Sequence, residues 1–349
     1  MSRLLSALLL TALALPGGAH AADVEGSVRV TGRVLLDSNA PRDFRDAQGQ
    51  QPAPDMGLSL LASSEGRITG ERLQLVGRYE LGGRKYLRYA TEDVLIQGAA
   101  VEGSMALGTQ LGMGMEGRAK DRRGGSRDYS DLGAEAFLEY VPDVRLALRV
   151  RAGAHRFVYR EDSRANFGGP ELGFLGRYRF NRRHSLSVFG DYGSRRYGVE
   201  AALPPESEAP SPGRRKDGAL SAGAGYTYRG PLALGLTYTF QEISSNSFGE
   251  TVLRHRLSGS AGLRLPWSVT LLAQGALGMS RYPDGIYLSP DLTLVEEDEG
   301  QNSLSLKLAR PMSEHLDVEL SYGVYGTNLP TLQLSYFRQV LGLGLTWRL

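Results

Sequence analysis

Leu341-Gly342-Leu343-Gly344-Leu345-Thr346-Trp347-Arg348-Leu349 puts a large apolar side chain at every odd position and Gly, Thr or Arg at every even one. A period of two is that of a β-strand whose side chains alternate between two faces. Here one face is greasy and the other is small or polar. A strand of this kind, in a chain that opens on an export signal, points to a transmembrane β-barrel rather than a soluble sheet.

Residues 1–21 read as that signal. Arg3 gives the positive start, Leu4 to Leu15 the apolar run, and Ala19-His20-Ala21 an A-x-A cleavage site. The run is too short for a helical membrane span, and nothing later in the chain approaches one. Mean hydropathy is mildly negative, which alternating barrel strands produce as readily as a soluble protein does. The chain has no cysteine, so disulfides, thiol chemistry and cysteine metal sites are excluded. A formal net charge of +2 offers no concentrated basic face for nucleic acid. Gly 45 and Tyr 17 against Phe 10 suit a curved wall with tyrosines at the membrane interfaces.

The pattern predicts an all-β, antiparallel, up-and-down barrel of about sixteen strands (range 14–18) over residues 22–349, a single domain. The strands are expected at 26–38, 56–65, 71–82, 92–101, 104–119, 129–141, 144–159, 171–181, 184–197, 218–229, 231–242, 252–265, 267–282, 302–310, 315–326 and 333–349. Links after even strands are short, such as Pro142-Asp143, Arg182-Arg183, Gly230 and Pro266. Links after odd strands are mostly long and polar, such as 39–55, 198–217 and 283–301. Outer-membrane barrels alternate in this way, with short periplasmic turns and long outside loops. The alternation would place both termini in the periplasm.

The faces agree. Leu146, Leu148, Val150, Ala152 and Ala154 alternate with Arg145, Arg149, Arg151, Gly153 and His155. Leu132, Ala134, Ala136, Leu138 and Tyr140 alternate with Asp131, Glu135 and Glu139, and Leu316, Val318 and Leu320 with Asp317 and Glu319. An Arg or Lys facing mid-bilayer lipid costs about 2–4 kcal/mol, so the charged face is assigned to the lumen. Arg145, Arg149, Arg151, Arg177, Arg179, Asp131, Glu135, Glu139, Asp317 and Glu319 are the expected pore-lining residues. A three-residue turn after Val141 would set Glu135 opposite Arg151 and Asp131 opposite His155. The plainer reading of such pairs is a wall that keeps a wide barrel rigid and wet, since exposed ion pairs seldom mark a site. The functional reading is a transverse field that orients a charged or sugar-like solute. Lumen-phase Phe137, Phe157, Tyr159, Phe189, Tyr325 and Tyr336 would fill a constriction or stack on sugar rings. Outward-phase Tyr79, Tyr140, Tyr178, Phe180, Tyr226, Tyr228, Trp267, Tyr282 and Trp347 read as interface girdles.

Catalysis finds little support in the residues. Of the mature histidines, His155 alone has an expected carboxylate neighbour, Asp131, and no serine accompanies it in a nucleophile setting. The histidines lack metal-site spacing, and nothing calls for a cofactor. The expectation is a protein that is not an enzyme. Glu296-Glu297-Asp298-Glu299 reads as a solvated outside loop or a divalent-cation site at the lipopolysaccharide level.

Val30-Thr31-Gly32-Arg33-Val34-Leu35-Leu36-Asp37-Ser38-Asn39 resembles the opening strand of a porin-like group of proteobacterial outer-membrane barrels, in which strand one ends in D-S-N or D-D-N. Ser245-Asn246-Ser247 through Arg254-His255-Arg256 to Arg281-Tyr282-Pro283 is similar to later hairpins of that group. The resemblance covers the mature chain. Some members sit with polysaccharide secretion systems, and others follow tetratricopeptide repeats, which this sequence lacks. It implies an outer-membrane channel for polysaccharide export, working with periplasmic export proteins. A general solute porin, or a scaffold barrel without an open pore, stands beside it. Outer-membrane lipid and lipopolysaccharide would surround the barrel of a Gram-negative cell. Leu345, Trp347 and Leu349 would be read by the barrel-insertion machinery, although Leu349 stands where the usual signal ends in an aromatic.

Overall fold

A sheet facing lipid must pair every backbone N–H and C=O, because the bilayer core offers no water to replace a missing partner. The chain meets this demand by closing on itself. In the computed structural model, which describes residues 23–41, 53–125, 128–210, 212–281, 283, 302–329 and 334–349, sixteen antiparallel strands form a closed barrel in sequence order. They are β1 (Asp23–Asp37), β2 (Asp55–Thr69), β3 (Leu73–Tyr86), β4 (Val94–Ala106), β5 (Leu111–Arg123), β6 (Tyr129–Asp143), β7 (Leu146–Tyr159) and β8 (Phe167–Arg179). The second half comprises β9 (His184–Glu200), β10 (Arg214–Tyr228), β11 (Leu232–Ser245), β12 (Val252–Arg264), β13 (Thr270–Arg281), β14 (Asn302–Pro311), β15 (Leu316–Leu329) and β16 (Leu334–Arg348). No helix among the described residues is long and apolar enough to cross a membrane. The expected export signal at 1–21, Tyr282, the Glu296–Glu299 run and the side chain of Tyr336 lie outside the described residues.

The closing seam joins β1 to β16, with Thr31 opposite Thr346 and Leu35 opposite Gly342. Leu349 N–H donates to Val28 O at 2.9 Å and Val28 N–H to Leu349 O at 3.1 Å. The alternation of β16 is explained here. Leu341, Leu343, Leu345, Trp347 and Leu349 are exposed on the outer surface. Gly344 faces inward, where a Cβ would meet Gly32 O and Arg33 Cγ, each at 2.5 Å. The missing side chain is the room in which Arg33 lies against the wall.

Turns after even strands span 70–72, 107–110, 144–145, 180–183, 229–231, 265–269 and 312–315. Connections after odd strands include 38–54, 87–93, 160–166, 201–213 and 282–301. The outward aromatics Tyr140, Tyr178, Phe180, Tyr226, Tyr228, Trp267 and Trp347 lie at the short-turn end, whereas Tyr79 sits mid-strand. Sixteen strands enclose an aqueous lumen rather than a packed core.

Several local expectations shift. Glu102-Gly103 continues β4 instead of turning it, with Gly103 opposite Met115; the reversal falls at 107–110. Trp267 and Ser268 are turn residues, both in the left-handed region (φ 58° and 59°), and not the start of β13. The β6–β7 register differs by two residues from expectation. Glu139 opposes Arg149 and Phe137 opposes Arg151, with an irregularity between Tyr140 and Asp143. Pro142 has no N–H to give the ladder. The reversal is made instead by Asp143, whose Oδ1 accepts from Arg145 N at 2.6 Å and Leu146 N at 3.0 Å.

Leu343, 59% exposed on the outer face, tests the membrane assignment. Leu343→Arg is expected to lower the unfolding free energy in lipid vesicles by about 2–4 kcal/mol. Thr237→Arg, on the lumen face of β11, should cost much less in the same denaturant titration.

Candidate functional site in the barrel lumen

The inner wall from β4 to β10 is built from interleaved charges. Arg149 reaches Glu139 at 3.7 Å and Glu102 at 3.8 Å, with its guanidinium 4.0 Å from the Phe137 ring centre. Arg151 sits between Glu135, 3.2 Å away, and Asp191, which it contacts through Nη2. Arg118 pairs with Glu171 at 3.1 Å. Glycine makes the room: a Cβ on Gly173 would lie 2.3 Å from Arg151 Nε and 2.4 Å from Asp191 Oδ1. His155 Nε2 stands 3.6 Å from Asp131 Oδ1. The Arg151–Glu135 and His155–Asp131 contacts therefore form diagonally, two residues off the expected register, because long side chains span that offset.

A second group braces the seam. Glu319 accepts from Arg33 at 2.9 Å and from Lys307 at 2.7 Å, and Asp317 pairs with Arg348. At the loop end Arg338 donates to both carboxylate oxygens of Asp37, with side-chain exposures of 1% and 0%. Tyr86 Oη donates to Asp37 Oδ2 at 2.5 Å. Asn39 N–H donates to Asp37 Oδ1, and Ser38 Oγ accepts from Gln339 N–H. The Asp-Ser-Asn end of β1 thus fastens β1 to β16 and β3.

Toward the loop end the lumen opens into a cavity of about 630 Å³. Lys120, Arg195, Arg254 and Arg256 line it, with Asp131 as the lining carboxylate and Ser221, Thr239, Gln241 and Ser258 on the far wall. Tyr129, Phe157, Phe167 and Tyr197 form a row on four successive strands with ring centres 5.2–5.3 Å apart. The Tyr129–Phe157 and Phe157–Phe167 pairs stack face to face, while Phe167 and Tyr197 are tilted. Arg195 and Arg215 lie over Phe167 and Tyr197 at 4.9 and 4.1 Å. Much of the ring area is spent within the wall, which suits stiffening better than stacking on a solute.

Outside the cavity, the 201–213 and 246–251 connections are tied together. Ala202 N–H donates to Ser247 Oγ and Phe248 N–H to Ala202 O. Beneath them Arg215 pairs with Asp217 at 2.8 Å and with Glu250 at 2.9 Å. Burial raises the Glu250 pKa above the ordinary glutamate range, and the Asp217 carboxylate adds to the rise, while Arg215 partly offsets it.

The expected pore residues are distributed by this geometry. Asp131, Glu135, Glu139, Arg149 and Arg151 meet on β6 and β7, and Asp317 and Glu319 belong to the seam group. Arg177 and Arg179 share the inward phase of β8 but lie exposed near the short turns. Arg145 is corrected: it is an exposed residue of the 144–145 turn, placed there because β6 runs on to Asp143. Lys120 and Phe167, which lie beyond the expected strands 104–119 and 171–181, belong to β5 and β8. The signal for Phe167 was the inward phase Phe167-Gly169-Glu171-Gly173, masked by Pro170 and the surrounding glycines.

No family model and no curated protein matches this chain. Among solved structures it is similar in fold to Salmonella typhi OmpF (9% identity, 93% of this chain and 97% of that chain, TM-score 0.51). OmpT, an outer membrane protein of Vibrio cholerae, aligns at 13% identity over 95% and 99% (TM-score 0.46). A bacterial polysaccharide outer membrane secretin aligns at 10% over 93% and 98% (TM-score 0.43). The chain therefore has the fold of outer-membrane β-barrels. One expectation is corrected here. The fold of outer-membrane β-barrels does not decide between passage and catalysis. The reading of this chain as no enzyme is withdrawn.

Two outcomes are expected. Asp37→Ala leaves the Arg338 guanidinium buried without its carboxylate and should cost roughly 3–5 kcal/mol in equilibrium unfolding, whereas replacing both by Leu and Met should cost far less. A raised folded-state pKa at Glu250 means that its stabilising contribution is complete below the unfolded value and lost as pH rises through the folded one. Amide exchange across 246–251 should accordingly accelerate with rising pH through that window beyond its intrinsic rise. Glu250→Gln should remove the excess.

Proposed function

We propose that this chain is a channel in the outer membrane of a Gram-negative bacterium, passing hydrophilic, oxygen-rich solutes with a preference for anions. The cavity carries the reading: four cations face one carboxylate across a wall of hydroxyl and amide groups. Hydroxyls and amides donate and accept hydrogen bonds in the manner of water and sugar hydroxyls. A ring of fixed cations favours passing anions. Export of a polysaccharide, helped by periplasmic export proteins, is the specific form of this role implied by the Asp37-Ser38-Asn39 resemblance. In this reading residues 1–21 direct export, 22–349 form the barrel, and the short turns and both termini face the periplasm. The outer face of β16, with Leu345, Trp347 and Leu349, is presented to the insertion machinery.

Single-channel recording in planar bilayers tests it. Steady conductance with chloride preference in a KCl gradient is expected, with block by acidic oligosaccharides stronger than by neutral ones. Lys120→Glu combined with Arg256→Glu should move the reversal potential toward potassium. Folded protein that never conducts would overturn the channel reading. Equal block by acidic and neutral sugars would overturn the anion preference.

A further inference from the structure

Arg149 and Arg151 of β7, which face the lumen, have carboxylate partners. On the outer surface at the loop end, three cations do not. Arg156 of β7 is opposite Gly168 of β8, Gly168 is opposite Arg196 of β9, and Arg196 is opposite Lys216 of β10. These residues form one lateral row across four adjacent strands. Their phase is outward, because their neighbours Phe157, Arg195 and Asp217 face the lumen or its rim, and all three cations are exposed. Among the described residues none of the three forms an ion pair. Of the outward carboxylates near the ends of the row, two are taken or faced by other cations, and Glu242 of β11 lies two rungs below it, opposite Leu220. Asp121 is held by Arg123 at 2.8 Å and Arg160 at 3.4 Å, and Glu200 stands opposite Arg214.

Like charges directly opposite on neighbouring strands destabilise a sheet, and Arg196 and Lys216 are such a pair, with strands only about 4.8 Å apart. An anion above them would relieve the repulsion. Gly168 contributes no side chain, so a gap two strand spacings wide, about 10 Å, separates Arg156 from Arg196. Just below the row the surface turns apolar. Tyr192 lies opposite Leu172 and Leu220, and the three are 52%, 60% and 40% exposed. An aromatic at the upper edge of an apolar belt marks the headgroup level, and phosphate is the anion found there.

We infer that Arg156, Arg196 and Lys216 bind the phosphorylated headgroup of a lipid in the outer leaflet, with the acyl chains lying on the Leu172–Tyr192–Leu220 surface below. The inference rests on the proposed placement of the loop end outside the cell. It does not depend on what the lumen passes. Guanidinium and ammonium donors match phosphate oxygens, and the row can span a headgroup carrying two phosphates.

The test uses the folded full-length barrel in mild detergent and native mass spectrometry. The probes are bisphosphorylated lipid A, the same lipid stripped of phosphate, and inorganic phosphate. Retention of bisphosphorylated lipid A is expected, at least tenfold stronger than of the dephosphorylated lipid. Arg156→Ser, Arg196→Ser and Lys216→Ser together should lower it at least tenfold, whereas Arg156→Lys with Arg196→Lys should retain most of it. Single-channel conductance, recorded on the same triple variant, should be unchanged, which separates failure at the lipid row from failure of the channel reading. Undiminished lipid retention by the triple variant would overturn the proposal. So would equal retention of the dephosphorylated lipid. Inorganic phosphate displacing lipid A at equal concentration would overturn the lipid as ligand.

Discussion

The obligation to satisfy every backbone hydrogen bond inside a bilayer governs this molecule. Fifteen of its strand pairings join neighbours in sequence, and the sixteenth must join β1 to β16. That last pairing is where the chain concentrates its most buried polar contacts. Asp37 with Arg338 and Tyr86, Glu319 with Arg33 and Lys307, and Thr31 with Thr346 all lie at or beside the seam. Glycines in β16 give those side chains room. The alternation that first marks the strand is thus half a lipid surface and half a bed for the arginine of its partner.

The two faces obey different electrostatic rules. Inward charges stand in water and arrange themselves in alternating sign, so Arg149 and Arg151 each touch two carboxylates. This makes the β6–β7 wall close to neutral and leaves the net positive character to the cavity above it. Outward charges are confined to the ends of the strands, since mid-bilayer positions are taken by Leu, Val, Ala and Met. Where these outward cations lack carboxylates, the surrounding lipid is the source of counter-charge. The same residue type serves different ends by position alone: bracing at Arg151 and, in the roles proposed above, selectivity at Arg256 and lipid contact at Arg196.

The architecture was readable because its physics is periodic. Sixteen strands, their order and their two faces follow from a period of two and from the alternation of short and long links. What the pattern conveyed poorly was the edge of each strand. Glu102-Gly103 looks like a turn yet lies flat in β4, because glycine facing lipid is tolerated there. Pro142 hides two further residues of β6, and with them the true register of the charged hairpin. Pro170 similarly hid the first residues of β8, and so the aromatic row and the cavity beneath it. The Asp-Ser-Asn motif was visible from the start as a likeness. Its role as a fastening needed the distance of 301 residues between Asp37 and Arg338 to be closed.

That separation has a kinetic side. Hairpins between sequence neighbours close short loops quickly, whereas a contact between the two ends of the chain bears the largest loop-closure entropy. The seam is therefore the last pairing to form and the first from which the wall could be peeled. Interactions formed after the rate-limiting step of assembly act on the rate of unfolding and hardly on the rate of folding. A bidentate, water-excluded pair at that place works as a lock on the finished barrel. It sets how long the cylinder stays shut once inserted, independently of how readily the hairpins were made.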